Sequence, residues 1–502
     1  MPVTNKKIYK LIISLEEFNN KNQNFVFKAR KKQILLMGVK GQIFAIDNRC
    51  PHEGYPLSKG FANDNCVLTC NWHNWKFNLK TGECLLGEDN VRNYPINIEN
   101  GNIYVDINDP SIDQIKKSIY KGLKTAFKER QYGRIAREIT RLQFNNLNPI
   151  DAVKECILWS FDHFEYGMTH AYAACADWLT FYNSFNSSKK SNQENQIICL
   201  TEAIDHISND SLRHPKYPYS TKEIQFNKSL LLNAIENENE VESISIINGA
   251  IKDKMSYNDL EGTLAEAALA HYNSFGHALI YVYKAGTLAN IFKDPKIDSC
   301  LLKVVTRNII TSTREDNIPE FKCYKDSLKK LQNLKMGNNT SSPSLDGIRN
   351  KKVNGALEWT IQKAKIHNSE SLFRALLLLN AKNMTTYNTD YQEAYNKSIA
   401  HNVGWLDFTH GLTFSNAVHV MCKRYPSLWP MGILQMACFY GRNIYYTDST
   451  IDENLFQVED HNKFKKHTLN KILDHGTRSP IYSAHYLKTS FAIFEEGDKL
   501  NQ

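Results

Sequence analysis

No stretch of this 502-residue chain approaches eighteen uninterrupted apolar residues, the length a membrane-spanning helix needs. Met1 to Lys10 has neither the apolar core of a signal peptide nor the Arg- and Ser-rich, acid-poor pattern of a transit peptide. A cytoplasmic protein without a membrane partner is therefore expected. Also missing are a Gly-x-Gly-x-x-Gly after a strand, a phosphate-cradling loop ending in Gly-Lys-Ser/Thr, and a Gly-x-Ser-x-Gly elbow, which argues against a built-in nicotinamide or flavin domain. Lys and Arg outnumber Asp and Glu by 61 to 53, a net +8, but are scattered and form no basic stripe interleaved with aromatics, so no nucleic-acid partner is expected. The eleven cysteines are odd in number and unevenly spaced, and Cys156, Cys175, Cys422 and Cys438 sit inside apolar helical patterns. They read as reduced core thiols, which excludes a disulfide framework.

What is present divides in two. At roughly 100 to 200 residues per domain, this length calls for at least two domains, and 42% apolar residues with 11% aromatics can fill their cores. From Lys7 to Ile107, short runs such as Phe25-Val26-Phe27, Gln33 to Met37, Ile43 to Ile46 and Ile103 to Val105 are separated by turn residues, which predicts an all-β domain. Gly38, Gly41, Gly82 and Gly101 read as hairpin punctuation, and Asn108-Asp109-Pro110 closes the region. Beyond about Ser111 the apolar spacing lengthens to three and four residues, notably around 150–185, 258–293, 355–383, 396–424 and 480–495. The expected organisation is multidomain: an all-β domain at 1–108, a linker at 109–120, and a mostly α-helical, candidate catalytic domain at 121–502. Asn186–Gln196 and Lys335–Lys352, poor in apolar residues, are expected as surface loops.

The β region carries the strongest motif. Cys50-Pro51-His52, then seventeen residues, then Cys70-Asn71-Trp72-His73 makes two loops that each present one thiolate and one imidazole. Two Cys for one iron and two His for the other is the donor set of a Rieske centre, and neutral imidazoles raise its potential above that of an all-Cys ferredoxin. Zinc on the same four ligands is the alternative. The pattern resembles the Rieske ferredoxin and oxygenase families over about Lys7 to Ile107, and Trp72-His73-Asn74-Trp75-Lys76-Phe77 followed by Thr81-Gly82-Glu83 looks like that family's second cluster loop and its turn. The resemblance implies a 2Fe-2S cluster on Cys50, His52, Cys70 and His73 and a role in single-electron transfer. Relatives in respiratory and photosynthetic complexes carry an extra Cys in each loop, joined as a disulfide. Tyr55 and Trp72 hold those positions here, so the resemblance is to the soluble, lower-potential, ferredoxin-like kind. Cys66 and Cys84 lie at the wrong offsets for ligands and read as packing residues.

A Rieske domain joined to a large second domain implies, by resemblance to ring-hydroxylating oxygenases, that electrons pass to a catalytic centre in the same polypeptide. Those enzymes bind mononuclear iron through Asp-x-x-His-x4-5-His. The nearest match, Asp407-Phe408-Thr409-His410, is followed by His419 at nine residues instead of five or six, so an ordinary ring-hydroxylating oxygenase is not expected. Fourteen of the sixteen histidines nevertheless lie beyond the β region. His163 and His170, seven apart, are predicted to share one helix face; Glu202 and His206 are a same-face pair; His271 and His277 follow Glu266. Asp407 and His410 have the three-residue spacing by which helical di-iron proteins offer a carboxylate and an imidazole to one metal. His475 beside Asp474, and His485 in the last helix, can join them. His163, His170, His206, His271, His277 and His410 sit among Phe, Tyr, Trp, Ala and Gly and, once buried, need partners or a metal. His214, His367, His461 and His467 have polar or charged neighbours and read as ordinary hydrogen-bonded residues. Phe275 to Ile280 and Asp407 to Leu412 resemble segments of the His-rich helical questin-oxidase-like oxygenases.

The expectation is an iron-dependent oxidoreductase in which the cluster passes single electrons to a His/carboxylate site holding a second iron, which oxidises a small organic substrate with dioxygen. His163, His170 and His410 are its expected catalytic residues, and His163, Glu202, His206, His271, His277, Asp407 and His410 its expected metal ligands. A separate NAD(P)H-dependent reductase or ferredoxin is expected to supply the electrons. Two rivals stay open: a relay or redox sensor whose helical part is a docking module without a second metal, and a metal-free enzyme that uses its histidines as acid and base.

Overall fold

The computed structural model describes residues 9–29, 32–185, 190–314, 317–392, 396 and 403–500. Most of the N-terminal stretch 1–10, the start of the stretch expected as a loop at Asn186, and most of 396–402 lie outside the described residues. Two compact units make up the chain: Met1–Ala126 with Arg141–Leu147, and Phe127–Thr140 with Asn148–Gln502.

The first unit is all-β up to Asp106 apart from short helical turns, and then continues into a helix, Ile112–Lys128. Its strands are β1 (Tyr9–Ser14), β2 (Asn24–Ala29), β3 (Lys32–Val39), β4 (Gln42–Asp47), β5 (Phe61–Ala62), β6 (Val67–Thr69), β7 (Lys76–Asn78), β8 (Cys84–Leu86), β9 (Asn93–Tyr94), β10 (Ile96–Glu99) and β11 (Asn102–Asp106). They form antiparallel sheets of order β1-β11-β10, β2-β3-β4-β9 and β5-β6-β7-β8. Strand β3 reads as a continuous apolar run because both of its faces are buried. Ile34 and Leu36 enter one core with Phe18, Tyr94 and Ile103, while Leu35 and Met37 enter another with Leu57, Leu68 and Phe77. The register keeps the faces matched, with Leu36 opposite Ala45 and Leu35 opposite Ile46. The second core also contains Cys50 and Cys70, so both candidate ligand loops rest on this wall. Gly41, Gly82 and Gly101 take the left-handed conformation expected of turn glycines. Gly38 does not; it lies inside β3, where a Cβ would come within 2.3 Å of the Gln23 Oε1.

The second unit is mostly helical. The region around 150–185 is two helices, Ile150–Ser160 and His170–Asn183, and that around 258–293 is another two, Tyr257–Leu269 and Asn273–Phe292. The stretch expected as a loop at 186–196 is helical from Lys190, within Lys190–Ser211. Its polar composition belongs to exposed first turns, and the buried face begins only at Gln196 and Cys199. Lys335–Lys352 forms no helix or strand. Four helices close a ring: His170–Asn183 packs on Asn273–Phe292, that on Trp405–Arg424, that on Pro480–Leu500, and the last back on the first. Among the described residues no helix is long and apolar enough to cross a membrane.

Two glycine turns give a graded test of the β unit. An alanine Cβ at Gly41 meets nothing, so Gly41→Ala should cost only about 1 kcal/mol for the left-handed backbone. At Gly82 the added Cβ also falls within 2.1 Å of the Val91 carbonyl oxygen, and Gly82→Ala should cost about 3 kcal/mol or more. The opening free energies of the β3 amides, read by hydrogen exchange, check the difference, and equal losses would contradict it.

Candidate metal centres

Two loops of the same backbone form leave the β unit. Cys50 N–H donates to the Tyr55 carbonyl at 2.9 Å and Gly54 N–H to that of Cys50 at 2.8 Å; Cys70 N–H donates to Trp75 at 2.8 Å and Asn74 N–H to Cys70 at 3.0 Å. Gly54 (φ 75°) and Asn74 (φ 60°) close the loops in the left-handed region that Gly and Asn tolerate. Both thiols are buried, while the His73 side chain is 41% exposed. His52 Nδ1 stands 2.9 Å from His73 Nδ1. Burial pushes the Cys50 thiol up to about 11, and Cys70 beside it adds to the shift. Paired thiols beneath facing ring nitrogens fit the two-Cys, two-His donor set of a 2Fe-2S cluster, whose iron would displace both thiol protons. Tyr55 and Trp72 stack with ring centroids 5.4 Å apart, so rings pack where disulfide-bearing relatives are covalently joined. Trp75 stacks on His52 at 4.8 Å, and Trp72 Nε1–H donates to Glu53 at 3.2 Å. Cys66 and Cys84 belong to the core beneath.

In the helical unit, the ring of four helices brings together His170, His277, His410 and His485. His277, His410 and His485 are buried. His410 Nδ1 lies 2.6 Å from the Leu406 carbonyl, and His485 Nδ1 lies 2.6 Å from that of Ile481. A carbonyl can only accept, so both Nδ1 atoms carry the proton and both Nε2 atoms present lone pairs. Those lone pairs face each other at 3.4 Å. His277 Nε2 is 2.8 Å from His410 Nε2 and 2.9 Å from His170 Nε2. Neutral rings can make a hydrogen bond across at most one of these three contacts. Adding protons is opposed first by burial and then by neighbouring positive charge, which together hold His170 and His410 well below the usual histidine value and His485 at about 2. A cation would satisfy the lone pairs of His170, His410 and His485 together. Nitrogens at 2.0–2.1 Å from one metal stand about 2.9 to 3.4 Å apart, close to the separations here. Among the described residues no carboxylate completes the metal-competent group of His170, His410 and His485, whose ligand atoms lie within 4.8 Å of one another.

The other candidates lie elsewhere. His163 does not share a helix with His170: Gly167 turns the chain at φ 81°, and Thr169 caps the His170 helix by accepting from Ala171 N–H. The His163 Nδ1–H donates to the His214 carbonyl at 3.2 Å. His271 lies between the Ser312 carbonyl and Glu236, and Glu266 pairs with Lys228 at 2.8 Å. Asp407 is spent on its own helix terminus, accepting from Gly404 N–H at 2.9 Å, so its three-residue spacing from His410 does not bring the pair to one point. His419 donates from Nδ1 to Glu496 at 2.5 Å. Glu202 forms a separate cluster: Tyr132 donates to it at 2.7 Å, His475 lies at 3.4 Å and His206 at 4.0 Å, and His206 Nε2 meets Ser483 Oγ at 3.2 Å. Tyr132, Glu202, His475 and Ser483 line a cavity of about 530 Å³. Residue-by-residue reading missed Lys488, whose Nζ is 3.1 Å from His410 Nε2. The available signal was a lysine at a core position of the last helix, four residues from the buried Ala484 and Ala492.

The sequence profile of the Rieske 2Fe-2S domain matches residues 9–95. The 3-phenylpropionate/cinnamic acid dioxygenase ferredoxin subunit of Photorhabdus laumondii is 36% identical over 78 residues, 15% of this chain and 74% of that protein. The protein of the same name from Escherichia coli is 37% identical over 76 residues, 15% of this chain and 72% of that protein. Among solved structures, the ferredoxin of carbazole 1,9a-dioxygenase from Nocardioides aromaticivorans shares 20% identity over 19% of this chain and 95% of that one, with a TM-score of 0.18.

The Glu202–His475 pair makes a pH prediction. Burial alone would raise Glu202, but the bonds from His475 and Tyr132 outweigh it and hold it below 4.5, while the bond to Glu202 holds His475 above 6.5. The contribution of the pair is complete between those two unfolded values; it fades as pH falls through the lowered Glu202 value and as pH rises through the raised His475 value. His475→Gln should therefore cost about 1 kcal/mol near pH 6, with the gap closing toward about pH 9. Thermal midpoints of parent and variant at both pH values check this, and a constant gap would reduce the pair to packing.

Proposed function

That this chain belongs to the Rieske 2Fe-2S family, through residues 9–95, is the premise from which we propose an oxidoreductase whose cluster passes single electrons to a second metal held by His170, His277, His410 and His485, for oxidation of a small organic substrate by dioxygen. The cluster supplies one-electron chemistry when bound. Cys50 and Cys70 would hold one of its irons and His52 and His73 the other, with the two imidazoles at the surface edge where electrons enter or leave. A separate NAD(P)H-dependent reductase or ferredoxin delivers them. The protein works in the reducing cytoplasm, a setting that suits eleven free cysteines.

The observation that carries the second centre is the pair of unprotonated Nε2 atoms facing each other at 3.4 Å in a buried site. Imidazole donors suit iron, zinc, copper and nickel, and iron is the one that answers to a single-electron donor and dioxygen. His410 and His485 are fixed in the ligating tautomer by their backbone bonds, and His170 is oriented by Tyr281, whose hydroxyl lies 3.3 Å from its Nδ1. The centre differs from the expected His/carboxylate mixture in being all imidazole. His163, His206, His271, Glu202 and Asp407 have no ligand role in this reading.

Metal analysis of protein purified without oxygen tests it. The parent should contain two irons and two acid-labile sulfides per chain plus one further metal, and the Cys50→Ser, Cys70→Ser double variant should keep only that metal. In the double variant, His170→Ala, His277→Ala, His410→Ala or His485→Ala should each lose it, whereas His163→Ala and His271→Ala should not. A parent with the cluster and no other metal would sink the oxygenase and favour an electron relay.

A further inference from the structure

The last helix brings a second donor to the four-imidazole centre. Lys488 is only 4% exposed, and its Nζ lies 3.1 Å from His410 Nε2. Among the described residues no other acceptor is within bonding distance of it. Asp177, the carboxylate whose charge it feels, is engaged by Lys284 at 2.6 Å. Lys488 and a metal therefore compete for one lone pair. When the metal takes His410 Nε2, the Lys488 N–H groups stay in a buried site without a protein acceptor, a state that costs about 1–3 kcal/mol for each unsatisfied group. Four neutral imidazoles, moreover, leave the cation its full charge. One occupant removes both penalties: an anion between metal and amine balances the charge and accepts from Lys488.

We propose that Lys488 is a positioning residue that donates a hydrogen bond to a small anion bound at the four-imidazole centre. The inference rests on the second metal proposed above and adds the class of ligand that centre takes. Dioxygen belongs to that class once it gains electrons, as do azide and hydroxide. The assignment rests on the donor geometry, and either protonation state of the amine provides an N–H.

Azide is the probe, read by its infrared antisymmetric stretch, a window in which the 2Fe-2S cluster is silent. The full-length parent should bind azide in a form that His410→Ala abolishes. Lys488→Met should keep the parent's metal content and bind azide about tenfold or more weakly, and Lys488→Gln, which restores an N–H donor, should recover part of the loss. Lys488→Met binding azide as tightly as the parent would overturn the donor role, and so would loss of the metal in that variant, which would make the amine a ligand. A parent that holds no metal beyond its cluster would overturn the four-imidazole centre and this inference with it, so the two failures are told apart by metal content alone.

Discussion

The hydrogen bond from His410 Nδ1 to the Leu406 carbonyl, repeated by His485 on Ile481, fixes two tautomers at once and leaves two lone pairs pointing at each other inside a helical core. Each bond runs back one turn within its own helix, so the tautomer is set by local structure. Tertiary packing then brings the two Nε2 atoms to 3.4 Å and adds those of His277 and His170. Across the 3.4 Å contact neither Nε2 can donate to the other, and Lys488 reaches only that of His410, so the arrangement is unfavourable in a low-dielectric interior. Its persistence across four separate helices is the physical ground for reading a cation there.

The same helices carry a second polar layer. Asp177 follows His170 by seven residues and Lys284 follows His277 by seven, so each lies two turns along the same face, and the two form a buried ion pair at 2.6 Å. Burial alone would push the Lys284 ammonium toward its neutral form, but Asp177 outweighs burial and keeps it charged. Charges this deep persist only when paired. Phe275 (φ 70°) and Gly276 (φ 79°) set the backbone immediately before His277 in the left-handed region. The cost of that conformation falls on Phe275, since Gly276 pays little, and a Cβ at Gly276 would in any case strike Phe414. The strain falls beside His277, a ligand in the proposed centre, and functional sites commonly store strain in this way.

The β unit was legible because its chemistry is local. Both ligand pairs lie within four residues of sequence, and each loop closes on itself through the same two backbone bonds. Strand β3 was legible for a different reason, since an apolar run with buried faces on both sides needs no alternation. Gly38 misled because a strand glycine that makes room for Gln23 looks the same in sequence as a turn glycine. In the helical unit, apolar neighbours singled out His170, His277 and His410, whose rings the fold brings together, but the same neighbours surround His206 and His271, which are buried with Ser483, Glu236 and Ser312 as ordinary partners. Same-helix spacing was the weaker guide: it paired His163 with His170 across a turn that Gly167 and Thr169 impose, and Asp407 with His410 although Asp407 serves its helix N-terminus. What brings His485 and Lys488 to His410 is helix packing across 75 and 78 residues of chain, which no local pattern encodes.

Exposure separates the two centres. The imidazoles of the β unit face solvent, so their ring edges are open to a partner protein, and their thiols are sheltered by a core that must exclude water from the sulfur side. In the helical unit burial keeps the imidazoles of His170, His410 and His485 neutral at neutral pH, with Lys488 donating to His410 Nε2. Burial thus does opposite work in the two places: it raises the Cys50 thiol so that iron must displace a proton, and it lowers the histidines so that no proton stands in the way.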